Sequence, residues 1–127
     1  MEKSNKRCIL VVDDEEDVLE YLDHILTRLD YEVITSNNGK DALALAKEHK
    51  PDLILLDIVM PGMMGCEVAD SLSADPELSF VPIVFLSGLN TSNDQGIIKG
   101  KKGDYHLLAK PISAQDIINL VKEIIPQ

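Results

Sequence analysis

Residues 53–65 read LILLDIVMPGMMG. With Asp52 in front, the apolar run over 52–56 has the length and composition of a strand buried on both faces. It ends at one carboxylate, Asp57, and a turn follows, marked by Pro61, Gly62 and Gly65. A charge set at the tip of a buried strand belongs at the sheet edge where strand C-termini emerge.

The same unit recurs in both directions along the chain. Upstream, 7–12 (RCILVV) is an apolar run that stops abruptly at Asp13-Asp14. Val18, Leu22, Ile25, Leu26 and Leu29 then form an i, i+4, i+7 stripe that predicts a helix. Residues 32–36 (EVITS) predict a short strand, and 39–49, with Ala42, Leu43 and Ala46 on one face, a second helix. Downstream, a third helix is expected over 66–73, and Pro82 opens a strand over 83–86 (IVFL), a position where proline costs no interior ladder bond. Residues 105–109 read as the last strand, and Ser113 as the cap of a final helix with Ile117, Val121, Ile124 and Ile125 inward. The intervening 90–102 is expected to supply the fourth helix, although Gly96 and Gly100 each weaken it by about 1 kcal/mol.

Five strands alternating with five helices predict an α/β fold of three layers, built from right-handed crossovers. The wholly apolar strands (CILVV, LILL, IVFL) suit the centre of the sheet, and EVITS and YHLLA its edges. A parallel order 2-1-3-4-5 meets that requirement, the flavodoxin-like (βα)5 arrangement. The 127 residues fit one domain, 1–127, with the polar residues 1–6 flexible.

Composition narrows the function. A net charge of −10 and a pI near 4.6 argue against direct nucleic-acid binding. No apolar stretch approaches the roughly 18 residues of a membrane span, and the N-terminus has no signal-like core. Cys8 and Cys66 lack metal-ligand spacing and read as reduced thiols, which fits a cytoplasmic location. His24, His49 and His106 stand apart from one another; Met60, Met63 and Met64 read as packing residues, and the lysines of 99–102 as a solvated face.

The residues that interrupt the apolar runs fall at strand C-termini: Asp13 and Asp14, Asp57, Ser87 and Lys110. With strands one and three adjacent, these residues converge on the crevice where such sheets bind ligands. At about 5 Å and an effective dielectric of about 20, each carboxylate pair costs roughly 3 kcal/mol. Their joint presence implies a divalent cation or a raised pKa, and an all-oxygen donor set selects Mg²⁺ over zinc. Asp57 is then a candidate nucleophile forming an acyl phosphate, with Lys110 and the Ser87 hydroxyl meeting the phosphoryl oxygens. Taken singly, each residue has a plainer reading: a helix cap for Asp13 and Asp14, a turn for Asp57 and for Ser87-Gly88, a solvated edge for Lys110. All of them at the ends of the right strands make that coincidence hard to sustain.

VVDDEEDV at 11–18, LILLDIVMPGMMG at 53–65, PIVFLSG at 82–88 and AKPI at 109–112, in that order, make the chain resemble the response-regulator receiver family of two-component signalling over nearly its whole length. The resemblance implies that Asp57 is the phosphoacceptor and that Asp13 and Asp14 hold Mg²⁺ together with Asp57 and the Val59 carbonyl. Ser87 would approach the phosphoryl group and Lys110 would pair with it, the Lys110-Pro111 bond being cis. The donor would be a phosphohistidine on a sensor histidine kinase or a histidine phosphotransfer protein, and the readout a partner-binding face seen by a downstream protein or output domain. Beyond self-phosphorylation from small donors and self-dephosphorylation, no enzymatic turnover is implied; a homodimer is left open.

Three positions depart from the family pattern. Leu107 stands where Tyr or Phe is usual, with Tyr105 on the same strand face; Met64 replaces the common Asp or Asn; Val59 and Leu89 are apolar where side chains often place the attacking water. Slow self-dephosphorylation is the expectation. The residues bear on three rival readings. A haloacid-dehalogenase-like phosphatase needs a second Asp where Val59 stands. A flavodoxin-like binding module needs a phosphate cradle, and DDEED would repel phosphate. A phosphorylation-independent docking module remains the alternative, on the strength of Leu107.

Overall fold

A computed structural model describes residues 6–88, 95–100 and 103–126, with side chains for 6–88 and 106–126. β1 (Cys8–Val12), β3 (Leu53–Asp57) and β4 (Ile83–Ser87) are buried along their whole length. A parallel strand covered on both faces must be apolar at every position, which is why these runs do not alternate. β2 (Glu32–Ser36) flanks β1 and β6 (Gly103–Ala109) flanks β4, so the five parallel strands follow the expected 2-1-3-4-5 order. The chain has the flavodoxin-like fold.

One expectation is corrected. Residues 95–100 form no helix; they are β5 (Gln95–Gly100), antiparallel to β6 from Gln95↔Leu108 to Gly100↔Gly103, and the full sheet order is β2-β1-β3-β4-β6-β5. Two glycines within six residues forfeit helical stability, and the β-branched pair Ile97-Ile98 suits a strand. The described residues therefore hold four helices: α1 (Glu16–Arg28), α2 (Gly39–His49), α3 (Gly65–Ala74) and α4 (Ala114–Ile124). The rest of the expected helix, 90–94 and 101–102, lies outside the described residues, as do Leu89 and all but Lys6 of the segment expected to be flexible.

Strand periodicity divides the interior. Ile9, Val11, Leu53, Leu55, Val84, Leu86 and Leu108 point to one face, where Leu19, Leu22 and Leu26 of α1 and Ile117 and Val121 of α4 cover them. Leu10, Val12, Ile54, Leu56, Ile83 and Phe85 point to the other, under Ala42 and Ala46 of α2 and Val68, Ala69 and Leu72 of α3. The helix ends follow local chemistry. Asn38 accepts the Asp41 N–H at 2.8 Å and Ser113 the Asp116 N–H at 2.9 Å, each satisfying a donor the helix leaves unpaired. Tyr31 donates to the Ile125 carbonyl at 3.0 Å, tying the start of β2 to the end of α4.

Candidate functional site

Register alone brings the acidic residues together. Val12 pairs with Leu56, so the next residues, Asp13 and Asp57, emerge side by side; Ser87 pairs with Ala109, so Lys110 emerges one step beyond it. The Lys110 N–H donates to the Ser87 carbonyl at 2.7 Å, and the Asp13 N–H to the Ser36 carbonyl at 3.1 Å, pinning the loop starts to neighbouring strands. The Lys110-Pro111 peptide is cis, as expected.

Asp13 is 0% exposed, Asp57 3% and Ser87 6%, whereas Asp14 is exposed at the rim. One carboxylate oxygen from each of Asp13, Asp14 and Asp57 lies within 4.8 Å of the others. Lys110 Nζ lies 2.7 Å from Asp13 Oδ2, 2.9 Å from Glu15 Oε1 and 3.6 Å from Asp57 Oδ2. Asp57 Oδ1 accepts a long hydrogen bond, 3.4 Å, from the Val59 N–H, which folds the chain after β3 back over the carboxylate. Burial, then the Asp13 charge, push the Asp57 carboxyl up to about 7, with the contact to Asp14 adding to them and Lys110 and the Val59 N–H opposing. Burial alone would lower Lys110, but the Asp13 and Glu15 carboxylates outweigh it and hold the ammonium protonated above its ordinary range.

A divalent cation fits this donor set. Three carboxylates converge, two of them buried, and among the described residues no thiolate or imidazole joins them. Asp13 Oδ2 is fully buried and, among the described residues, accepts no hydrogen bond of good geometry; Lys110 Nζ approaches it as an ion pair at 2.7 Å. An oxygen-only site open on its exposed Asp14 side suits Mg²⁺.

Comparison with known proteins decides the family. The family model for the response regulator receiver domain matches residues 9–122. The chain is a response-regulator receiver domain. Among curated relatives, it is 31% identical to Protein PilH of Pseudomonas aeruginosa over 92% of this chain and 96% of that one. It is 34% identical to the polar-differentiation response regulator DivK of Brucella anthropi over 91% and 94%. Against the response regulator PleD of Caulobacter vibrioides, identity is 43% over 82% of this chain but only 23% of PleD. Among solved structures, chemotaxis protein CheY4 of Vibrio cholerae superposes with a TM-score of 0.82 at 26% identity, covering 94% of this receiver domain and 99% of CheY4. A putative response regulator from Chloroflexus aurantiacus gives 0.84 at 27%, covering 97% and 100%. Receiver domains are phosphoacceptors that bind Mg²⁺ through an acidic cluster and interact with histidine kinases and downstream effectors. No helix among the described residues is long and apolar enough to cross a membrane.

The departures from the family pattern have structural counterparts. Leu107 packs against the α2–α3 side of the interior; the side chain of Tyr105 is outside those described. Met64 precedes α3, and its backbone N–H donates to Glu67 Oε1 at 2.8 Å, so the polarity expected at position 64 is supplied one turn later. Val59 is 49% exposed. Two residues escaped the sequence reading. Gly65 sits so close under β3 that a Cβ there would stand 2.2 Å from the Asp57 carbonyl oxygen. Glu15, read only as part of an acidic run, reaches Lys110 across 95 residues of sequence.

Proposed function

We propose that Asp57 is the phosphoacceptor of this receiver domain, with Asp13, Asp14, Asp57 and the Val59 carbonyl as Mg²⁺ ligands and Ser87 and Lys110 as phosphoryl-binding groups. The supporting observation is the convergence of three carboxylates and one ammonium around a buried Asp57. The ionised Asp57 carboxylate attacks the phosphorus of a phosphohistidine; the P–N bond breaks and its electron pair leaves with the imidazole, giving an aspartyl phosphate. The metal, when bound, supplies charge neutralisation among the carboxylates and the phosphoryl oxygens. Lys110, 3.6 Å from Asp57 Oδ2, takes a phosphoryl oxygen, and the Ser87 hydroxyl donates to another. The donor is a sensor histidine kinase or histidine phosphotransfer protein, the setting cytoplasmic, and the added charge reshapes a face read by a downstream protein. The acidic surface, net −10, makes direct nucleic-acid binding unfavourable.

The test is phosphate incorporation from acetyl phosphate with Mg²⁺, followed by intact-mass analysis, and NMR shift changes on adding beryllofluoride. Asp57→Asn should lose both. Incorporation undiminished in Asp57→Asn would overturn the assignment. A second reading, a docking module that works without phosphorylation, is favoured by the packed Leu107, and a parent protein silent to beryllofluoride would select it.

A further inference from the structure

Glu15 is the N-cap residue of α1, yet its side chain makes no capping bond. Its backbone does the helix's work instead: the carbonyl accepts from Val18 and Leu19, and the N–H donates to Asp13 Oδ1 at 2.9 Å. The carboxylate crosses to the loop after β6, where Oε1 accepts from Lys110 Nζ at 2.9 Å. An acid at a helix N-terminus gains from the dipole by staying local; this one spends its reach on a distant ammonium.

The contact is asymmetric. The Lys110 side chain is 14% exposed and Glu15's 60%, so Glu15 comes from the solvent side while Asp13 and Asp57 hold the lysine from below. Glu15 also lines, with Val18, Tyr21, Pro111 and Ile112, a groove of about 590 Å³ that opens beside the pocket. Lys110 Nζ is nearer Glu15 and Asp13 than Asp57, where a phosphoryl group would sit. Pairing with a phosphoryl oxygen therefore competes with the bond to Glu15.

Building on the assignment of Asp57 and Lys110 above, the geometry points to Glu15 as a positioning residue: it restrains Lys110 in the unphosphorylated state and sets how readily the ammonium turns to the phosphoryl group. The Glu15 backbone N–H holds Asp13 Oδ1, whereas its carboxylate is bonded to Lys110 and acts through that lysine.

The probe is beryllofluoride titrated at saturating Mg²⁺, read by NMR, on the parent, Glu15→Gln, Glu15→Asp and Glu16→Gln. Glu15→Gln weakens the restraint, and a partly exposed ion pair is worth about threefold to fivefold in affinity, so this variant should bind more tightly by that factor. Glu15→Asp keeps the charge but falls one methylene short and should shift in the same direction. Glu16→Gln removes a neighbouring charge and should change affinity less than twofold. The Lys110 ammonium resonance should broaden in both Glu15 variants through faster solvent exchange and stay sharp in Glu16→Gln. Equal affinities for parent and Glu15→Gln, or Glu15→Asp matching the parent, would overturn the inference. So would a Glu16→Gln effect as large as Glu15→Gln, which would mean bulk charge alone. A parent that does not bind beryllofluoride would instead sink the phosphoacceptor assignment.

Discussion

At the scale of single residues, Asp57 is held in a contest between burial and the Asp13 charge, which favour the proton, and Lys110, which opposes them. Burial and the neighbouring Asp13 put its carboxyl at about 7, against an ordinary 3.8. Between those values the native state holds a proton that the unfolded chain has released, so this group's contribution to stability falls as pH rises across that window. Without Mg²⁺, the urea midpoint of the parent should drop from about pH 4 to pH 7 relative to Asp57→Asn, and the difference should flatten above pH 7. A parent and variant that run parallel would refute a buried, repelled carboxyl. The two thiols offer a second contrast. Cys8 is buried in β1 and its thiol is pushed up to about 11 by burial and the nearby Glu32 and Asp52 charges, whereas Cys66 is exposed on the first turn of α3. Iodoacetamide at pH 8 should modify Cys66 at least tenfold faster than Cys8, as peptide mapping over time would show.

The elements show how a local rule can be legible while its spatial consequence is not. Apolar runs and their terminal charges gave the five parallel strands, and Ser113 and the α4 stripe gave the last helix, because these signals lie in adjacent residues. Residues 95–100 went the other way: local glycines weakened a helix, but the strand depends on pairing with β6, which no local pattern announces. Asp13, Asp14, Asp57, Ser87 and Lys110 were legible from their places at strand ends. Gly65 and Glu15 were not, since one depends on how close α3 approaches β3 and the other on a contact spanning the domain. Gly65→Ala would drive a methyl group into the Asp57 and Ile58 backbone, with contacts of 2.2 Å and 2.9 Å that no rotamer relieves. The variant should lose about 2–4 kcal/mol in denaturant unfolding and weaken Mg²⁺ binding through displacement of Asp57. An unchanged midpoint would show that the α3 entry can shift without cost.

Over the whole molecule, the sheet separates two apolar layers and gathers its unresolved charge at one edge. A cation bound there stabilises the native state alone, so Mg²⁺ at a hundred times its dissociation constant should add about 2.7 kcal/mol to unfolding. Thermal melts across a Mg²⁺ series should rise logarithmically for the parent and stay nearly flat for Asp13→Asn; equal rises would place the ion elsewhere. Charge repulsion is thus a standing cost that the ligand removes, which links occupancy of the pocket to the stability of the fold.

The strand bearing the lysine has a further consequence. Leu107 faces the α2–α3 layer and Leu108 the α1–α4 layer, and Lys110 follows two residues later, anchored by its backbone to Ser87. Both layers are close-packed and resist small displacements. Displacing the end of this strand would disturb the packing on both faces of the sheet, so the backbone that carries the pocket's lysine is tied to both layers at once.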